Sequence, residues 1–267
     1  MDKDAVIEAH VKETTEGTKT SRAMAQTLLN IQYGESDSEK MDLYLPEGEP
    51  TEFPLLVYIH GGYWQYLSKE ESGFMVLPLV SHGIAMMVMD YDIAPKGDMD
   101  LIVSQVRCSI AAVLGLYPQN SGVYLCGHSA GAHLVAIALC TDWIEYGVTP
   151  DIKGAFLVSG VYDLLPIIHT YVNDALQMSQ EVALKNSPIQ YVRQMNAGTC
   201  PMVIVVAEHD SPEFHRQSQC YFQSLKESGL SVSYVHVDGT DHFDVIEKLA
   251  EEDYVLTQLI LKMILDK

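Results

Sequence analysis

Short runs of almost uninterrupted apolar residues recur along this chain of 267 residues. Strands that are buried on both faces are apolar throughout, and helices between consecutive strands make those strands parallel. The pattern therefore predicts an α/β fold, with a mostly parallel central sheet and helices on both faces. Patterns typical of strands occupy residues 40–46, 54–60, 84–90, 123–126, 152–159, 201–207 and 232–237, and patterns typical of helices occupy residues 100–116, 130–140, 212–228 and 243–265.

The alternation of strands and helices continues through most of the chain, which predicts one domain over residues 1–267. Residues 1–30 are polar with helix formers in their second half, so we expect an N-terminal helical extension there. In it, Thr20 or Ser21 is expected to cap a helix over residues 22–29. The pattern weakens over residues 163–199, which we expect to form a small lid-like insertion between two core strands.

Acidic side chains outnumber basic ones by 36 to 16, which gives a formal net charge of −20. Such a charge repels nucleic acid and anionic membranes and argues against polyanionic substrates, so neither of the first two is an expected partner. Neutral or zwitterionic small molecules stay open as substrates. Five cysteines, an odd number without a CxxC pair, indicate a reducing compartment. We find no signal-peptide pattern and no apolar run near the ~18 residues that span a bilayer. A cytoplasmic protein is therefore expected, with a nuclear pool left open.

Residues 127–131 read GHSAG between one apolar run and the start of the next. This order indicates a strand, a tight turn and a helix, with Ser129 at the turn. A serine held there has an exposed hydroxyl above a helix N-terminus, and the glycines on both sides let strand and helix approach closely. The five residues also occur by chance in unrelated chains. The hypothesis that Ser129 is a nucleophile therefore requires a base, an acid and an oxyanion hole elsewhere.

Two residues in loops after later strands supply the acid and the base. Asp210 follows the strand predicted at residues 201–207, and His242 follows the strand predicted at residues 232–237. Loops after parallel strands meet at one edge of a sheet, and the chain order serine, aspartate, histidine is that of α/β-hydrolases. In such a triad His242 takes the proton of Ser129, and Asp210 orients the imidazole.

Each of these two assignments has an alternative. Asp210 could instead be a helix N-cap beside Pro212, and Glu208 is the competing carboxylate, although it lies closer to the strand. His242 could be an ordinary loop histidine. His236 is a poorer candidate for the base because it lies within a predicted strand.

Residues 60–65 read HGGYWQ directly after an apolar run. Two adjacent glycines allow the backbone to approach a substrate and to point N–H groups at it. The predicted oxyanion hole consists of the amides of Gly62 and Tyr63, together with that of Ala130, the residue after the nucleophile. The alternative, a plain glycine turn, explains the two glycines but not the histidine and the aromatic pair beside them.

No pattern for a metal ion or a cofactor competes with this interpretation. Residues 208–210 read EHD, which are ligand types, but the sequence has no matching HxxxH or HExxH and no Walker loop or GxGxxG. His128 and His133 flank Ser129, and we expect His128 to face the substrate and His133 to pack in the interior. The sequence therefore offers no metal site and implies no nucleotide cofactor.

Taken together, these residues resemble those of kynurenine formamidases (arylformamidases), a family of α/β-hydrolases. The resemblance runs from about residue 30 to the C-terminus, and HGGYWQ is its most specific part because GxSxG occurs in many hydrolases. Lipase-like relatives carry a third glycine where this chain has Tyr63, which puts generic lipase activity in doubt. The matching positions are His60, Gly61, Gly62, Tyr63 and Trp64 of the HGGXW motif, residues 127–134 of the nucleophile segment, residues 32–34 and 39–46 of the opening strand region, and Asp210 and His242 of the triad.

The resemblance implies hydrolysis of N-formyl-L-kynurenine to L-kynurenine and formate, a step of tryptophan degradation, without a cofactor. We expect Tyr63 and Trp64 to narrow the acyl side of the site and to stack near the substrate ring. Two alternatives stay open: a broad-specificity carboxylesterase that acts on short acyl esters, and a catalytically silent ligand-binding protein with the same fold. A homodimer is a further expectation, for which the sequence shows no interface.

Overall fold

The computed structural model describes residues 3–48, 52–195 and 200–266. Within these residues eight strands form one sheet: β1 (Gln26–Gln32), β2 (Lys40–Leu45), β3 (Leu55–Ile59), β4 (Ala85–Met89), β5 (Val123–His128), β6 (Ile152–Val158), β7 (Met202–Ala207) and β8 (Val232–Val237). Their order across the sheet is β1-β2-β4-β3-β5-β6-β7-β8. β2 pairs antiparallel with β1 and β4, and every later pair is parallel. The predicted mostly parallel sheet is confirmed.

Helices cover both faces of the sheet, as predicted. They are α1 (Lys3–Met24), α2 (Val76–Val80), α3 (Met99–Leu116), α4 (Ala130–Leu139), α5 (Asn173–Leu176), α6 (Gln180–Lys185), α7 (Pro212–Glu227), α8 (Asp244–Glu247) and α9 (Val255–Leu265). Successive side chains of a strand point to opposite faces. Leu55, Val57 and Ile59 of β3 therefore share a core cluster with α3, α4 and α7, while Leu56 and Tyr58 share another with α2, α8 and α9.

The register of the parallel strands places three loops side by side. Ile59 at the end of β3 pairs with Gly127 of β5, and His128 at the end of β5 pairs with Val158 of β6. The carboxyl ends of these strands therefore lie along one edge of the sheet. Ligands of open α/β sheets bind at this edge.

The N-terminal region differs from the expected helix over residues 22–29. α1 already includes Thr20 and Ser21, so neither residue caps a helix. The hydroxyl of Thr20 donates instead to the carbonyl of Glu16, one turn back in the helix, at 3.0 Å. After α1 the chain enters β1, which pairs with β2 at the edge of the sheet. The prediction is wrong there because this long-range pairing outweighs the local helix propensity.

The C-terminal region also differs from the single helix expected over residues 243–265. α8 ends after one turn and continues as a 3₁₀ turn, Lys248–Ala250, and α9 begins only at Val255. The three consecutive acids at 251–253 occupy the break. Neighbouring carboxylates repel one another, and the hydroxyl of Tyr254 donates to the carbonyl of Val245, which closes the corner between the helices.

The expected lid-like insertion, residues 163–199, consists of short helical turns that include α5 and α6, and residues 196–199 of it lie outside the described residues. Leu164, Val172 and Ala183 belong to the main core cluster, so the segment is anchored in the interior. Its exposed Tyr171 lines the cavity at the catalytic edge. The function of this segment as a lid stays a prediction.

One helix has the length and the apolar composition that a membrane span requires. α3 has 18 residues, so the expectation that no apolar run approaches this length is wrong. Half of α3 is buried, and Ile102, Val106 and Ile110 on its inner face belong to the core cluster. An apolar helix of this length is therefore accounted for by packing on the sheet.

Candidate active site

Ser129 lies at a strained turn between β5 and α4. Its backbone has φ 56° and ψ −118°, a region that L-residues rarely occupy and that costs about 1–3 kcal/mol. The turn is held by the amide of Ser129, which donates to the carbonyl of Val158 at 2.8 Å. Strain that the surrounding structure maintains at one serine is typical of a nucleophile elbow.

The glycines around Ser129 are required by close backbone contacts. A Cβ atom at Gly127 would collide with the carbonyl of Gly131, and one at Gly131 would collide with the carbonyl of Ile59. A Cβ atom at Gly61 would lie 2.7 Å from the carbonyl oxygen of His128. The nucleophile turn and the loop after β3 therefore approach each other so closely that side chains at these glycines would collide.

Asp210 and His242 form a hydrogen-bonded pair at the ends of β7 and β8. Nδ1 of His242 donates to Oδ1 of Asp210 at 2.6 Å, and the Asp210 side chain is fully buried. This bond leaves Nε2 of His242 as the atom that can take a proton. Ser129 and His242 line the same cavity, so the structure brings the three predicted triad residues to one place.

The environment of Asp210 keeps its carboxylate ionised. Burial alone would raise the pKa of Asp210, but hydrogen bonds from His242, Ser159 and the Ala207 amide outweigh burial and lower it. Oγ of Ser159 donates to Oδ2 at 2.5 Å, and the amide of Ala207 donates to the same oxygen at 2.9 Å. An ionised carboxylate at this position stabilises the imidazolium that forms during proton transfer.

Ser159 is a site residue that the sequence interpretation missed. It is fully buried with φ 48°, and its amide donates to the carbonyl of Val205 at 2.8 Å. The available signal was a Ser-Gly pair directly after β6, the strand between those that carry Ser129 and Asp210. A small polar residue at that strand end is well placed to contact the neighbouring loops.

The competing candidates lie away from the pair. Glu208 is exposed and accepts a hydrogen bond from the amide of Gly239 at 2.6 Å. His236 is exposed on β8 and bonds to Asp238. Neither side chain lines the cavity that contains Ser129.

The loop after β3 has an unusual backbone. Gly62, Tyr63 and Trp64 have φ values of 88°, 51° and 61°, and the amides of residues 65 and 66 donate to the carbonyl of Gly62. Gly62 and Tyr63 line the cavity beside Ser129. Ala130 supplies the first amide of α4, which has no partner inside the helix. The three predicted oxyanion donors therefore lie on two segments, the loop after β3 and the start of α4, which meet beside Ser129.

Trp64 corrects one prediction. The side chain is fully buried and does not line the cavity, so it cannot stack on a substrate ring. Its Nε1–H donates to Nδ1 of His133 at 3.2 Å, inside the protein. The HGGXW motif alone could not show this, because the positive φ of Trp64 turns the side chain towards α4.

His128 holds the backbone of the candidate base. Its Nε2–H donates to the carbonyl of His242 at 2.8 Å, and the two rings lie 4.7 Å apart. Burial lowers the pKa of His128 well below its usual value, and the neighbouring His242 lowers it further. A neutral His128 therefore lines the cavity as a hydrogen-bond donor and is not a second base.

The cavity at Ser129 has a volume of about 680 Å³ and two unlike sides. The first side is the catalytic edge of the sheet, from Gly62 to His242. The second is formed by Ile7, Glu8 and Val11 of α1. An N-terminal helix that was expected to be an extension is thus a wall of the site.

Comparison with known proteins agrees with this geometry. The BD-FAE family model matches residues 41–225. The curated kynurenine formamidase of Salmo salar is 56% identical over 98% of this chain and 90% of that protein. The curated kynurenine formamidase of Danio rerio is 53% identical over 99% of this chain and 91% of that protein.

Among solved structures, that of a protein from Silicibacter sp. tm1040 is 27% identical, with a TM-score of 0.82 over 95% of this chain and 93% of its own. Because the sequence matches extend over nearly the whole chain, they include α1, which the motifs had left outside the resemblance. The fold is that of the α/β-hydrolases, and the chain belongs to the kynurenine formamidase family.

Proposed function

We propose that the protein is a serine hydrolase that cleaves N-formyl-L-kynurenine to L-kynurenine and formate. The observation that carries the proposal is the cavity that Ser129, at its strained turn, shares with the hydrogen-bonded pair of Asp210 and His242. The likeness to curated kynurenine formamidases supports the choice of substrate.

In the first half-reaction, Oγ of Ser129 attacks the formyl carbon while Nε2 of His242 takes the hydroxyl proton. The amides of Gly62, Tyr63 and Ala130 donate to the developing oxyanion, and one such donor is typically worth ~10²–10³ in rate. The carbon–nitrogen bond then breaks. The arylamine leaves with the proton from His242, and the formyl group stays on Ser129 as an ester.

In the second half-reaction, a water molecule gives a proton to His242 as its oxygen attacks the formyl ester. The ester bond breaks, Ser129 regains its proton from the imidazolium, and formate leaves. One water molecule is consumed and no cofactor takes part.

The cavity suits a small aromatic amino acid. Its volume of about 680 Å³ lies within the usual range for sites of small molecules. Ile7, Val11 and Tyr66 give it apolar surface for an aryl ring, and Tyr63 lines it beside Ser129. Tyr63 is therefore the aromatic residue to which we assign the preference for formyl.

The charge of the cavity indicates which end of the amino acid it binds. Glu8 and Glu71 line it, and no lysine or arginine is present among its described lining residues. A carboxylate attracts an ammonium group and repels another carboxylate. We infer that the α-ammonium of the substrate faces these glutamates and that the α-carboxylate faces solvent.

A kinetic assay of kynurenine release from N-formyl-L-kynurenine tests the proposal. Wild type is expected to turn over the substrate, and Ser129→Ala to lose at least about 10⁴-fold in kcat while it keeps its fold by circular dichroism. A fluorophosphonate should label wild type and not the variant. Wild type without turnover or labelling would favour the silent ligand-binding alternative.

A broad carboxylesterase is the second candidate, because the same triad acts on esters. Formyl, acetyl and butyryl amides of one arylamine separate the two functions. The narrow acyl side beside Tyr63 predicts a steep fall in kcat/KM from formyl to butyryl. Equal rates across the series, with faster cleavage of short p-nitrophenyl esters, would identify the esterase instead.

Two further predictions concern the location and the oligomeric state of the protein. We propose a cytoplasmic location and leave a nuclear pool open, and cell fractionation tests both. We also keep the homodimer as a prediction, which sedimentation velocity tests on the purified chain.

A further inference from the structure

The candidate oxyanion hole is divided between two segments of the chain. Gly62 and Tyr63 belong to the loop after β3, whereas Ala130 begins the helix that follows the nucleophile. Three donors stabilise one oxygen only if the two segments keep a fixed distance, because an error of 1 Å costs about 10²-fold in rate. Contacts that tie the loop to α4 therefore bear on catalysis.

One such contact is the buried hydrogen bond between Trp64 and His133. Nε1–H of Trp64 donates to Nδ1 of His133 at 3.2 Å, and the rings meet edge to face at 5.2 Å. His133 lies one turn into α4, where its amide donates to the carbonyl of Ser129 at 3.3 Å. The bond therefore links the loop directly to the helical turn that holds the nucleophile.

The other side of His133 is held by the segment after β6. Nε2–H of His133 donates to the carbonyl of Asn186 at 2.6 Å, which fixes the tautomer that leaves Nδ1 to accept from Trp64. The side-chain amide of Asn186 is in turn bonded to Asp100 at 2.8 Å. The imidazole is thus a rigid bridge with both nitrogens in use.

The same segment holds the loop at a second point. Nε2 of Gln65 donates to the carbonyl of Val172 at 2.8 Å, and the amide of Ala94 donates to the carbonyl of Trp64 at the same distance. Tyr63 and Trp64 have positive φ, a conformation that L-residues rarely adopt without support. These bonds support the C-terminal end of the strained stretch.

We propose that Trp64 and His133 are positioning residues, which hold the amides of Gly62 and Tyr63 in register with Ser129, and that residues 163–195 brace them. The proposal rests on the proposed acyl transfer at Ser129. In this proposal the segment after β6 supports catalysis by holding the oxyanion loop in place, in addition to its predicted function as a lid. Loss of the bridge should lower kcat and leave KM close to its wild-type value, because neither side chain lines the cavity.

Trp64→Phe is the first test, because it removes the N–H donor and keeps an aromatic ring. We expect kcat to fall about 10–100-fold, with KM changed less than threefold, in a variant that is folded by circular dichroism. Trp143→Phe is the matched control, since Trp143 lies beside Tyr146 far from the loop in sequence and does not line the cavity. Its kcat should equal that of wild type.

A double-mutant cycle with His133→Leu shows whether the two residues act through each other. If they do, Trp64→Phe combined with His133→Leu loses no more in kcat than the worse single variant. The amide of a glutamine can both accept and donate. His133→Gln should therefore recover much of the kcat that His133→Leu loses. A folded Trp64→Phe with kcat within twofold of wild type, or two single losses that multiply, would overturn the proposal.

The choice of substrate keeps this test separate from the proposed function. Each variant is assayed on N-formyl-L-kynurenine and on p-nitrophenyl acetate, because an oxyanion hole serves every acyl transfer at Ser129. An enzyme that cleaves only the ester contradicts the formamidase proposal, and the bridge is then judged on the ester. If a bridge variant loses kcat on N-formyl-L-kynurenine but keeps its rate on p-nitrophenyl acetate, the result contradicts the positioning proposal and leaves the formamidase proposal intact.

Discussion

The two sides of the cavity are built in different ways. The catalytic wall, which we define as Gly62, His128, Ser129 and His242 together with the buried Asp210 behind His242, stands at the ends of parallel strands. Its imidazole and carboxylate groups are held by hydrogen bonds. The α1 wall, which we define as Ile7, Glu8 and Val11, comes from one helix outside the sheet. Ile7 is 38% exposed, and Glu8 is exposed.

The attachment of α1 shows how this second wall is kept in place. Nδ1 of His10 bonds to Glu247 of α8 at 2.6 Å, and Arg22 near the other end bonds to the fully buried Asp42 at 2.6 Å. His10 itself lines the cavity beside these side chains, whereas Arg22 anchors the far end of the helix. The comparison teaches that the strand ends of the sheet position the catalytic groups. The α1 side chains that line the cavity take no part in the sheet, so they can vary and determine which substrate binds.

The largest expected effect breaks the catalytic wall at its acid. Asp210→Asn keeps the shape of the side chain but removes the charge that stabilises the imidazolium, so kcat should fall about 10³–10⁴-fold. Glu208→Gln, the matched change at the competing carboxylate, should stay within threefold of wild type because that side chain is exposed. Steady-state kinetics on N-formyl-L-kynurenine measures both. The opposite ranking would move the acid to Glu208.

The catalytic wall could be predicted because its residues are tied to local patterns. A nucleophile turn needs glycine on both sides, and the collisions at Gly127 and Gly131 show why. Asp210 and His242 follow strands whose apolar runs were evident, and parallel strands bring the loops after them together. The spacing of the glycines, the residue types in the loops and the parallel order of the strands thus all place the triad at the same edge of the sheet.

The rest depends on contacts between residues far apart in the chain. Ile7 and Glu8 sit on a polar helix whose position over the cavity is decided by bonds to α8 and β2, which no local pattern reveals. Trp64 reads as an aromatic at a loop tip, yet its backbone turns it inward to His133. Ser159 acts through a single bond to Asp210. Such pairings exist only once the sheet has formed.

Acid should lower the stability of the protein through buried histidines of the loop after β3 and of the nucleophile segment. Burial lowers the pKa of His60 and His133 to about 4 and that of His128 well below its usual value. In the unfolded chain these histidines become protonated at about pH 6.5, whereas in the folded chain they become protonated only at lower pH. The unfolded state therefore binds more protons between about pH 4 and 6.5, and the free energy of unfolding rises with pH in that window. Each histidine contributes up to about 1.4 kcal/mol per pH unit in that window.

Urea unfolding from pH 5 to pH 7 measures this slope. In His133→Gln a neutral amide replaces a group that is protonated only in the unfolded state. The slope of the unfolding free energy against pH should therefore fall by the amount that corresponds to about one bound proton. His236→Gln is the control, since His236 is exposed on β8. An unchanged slope in the His133 variant would show that this histidine is not kept neutral by the fold.

The smallest expected effect concerns the charge opposite the catalytic wall. Glu71 lines the cavity, and one of its oxygens accepts from the hydroxyl of Ser68 at 2.8 Å, a bond that Glu71→Gln can keep. Loss of the charge should raise KM for N-formyl-L-kynurenine about tenfold, the worth of one charged hydrogen bond, with kcat little changed. Formanilide, which has no ammonium group, should show no change in KM. If KM rises equally for both substrates, Glu71 shapes the cavity and does not bind the amino acid, and the α1 wall with Glu8 becomes the next place to look for the ammonium partner.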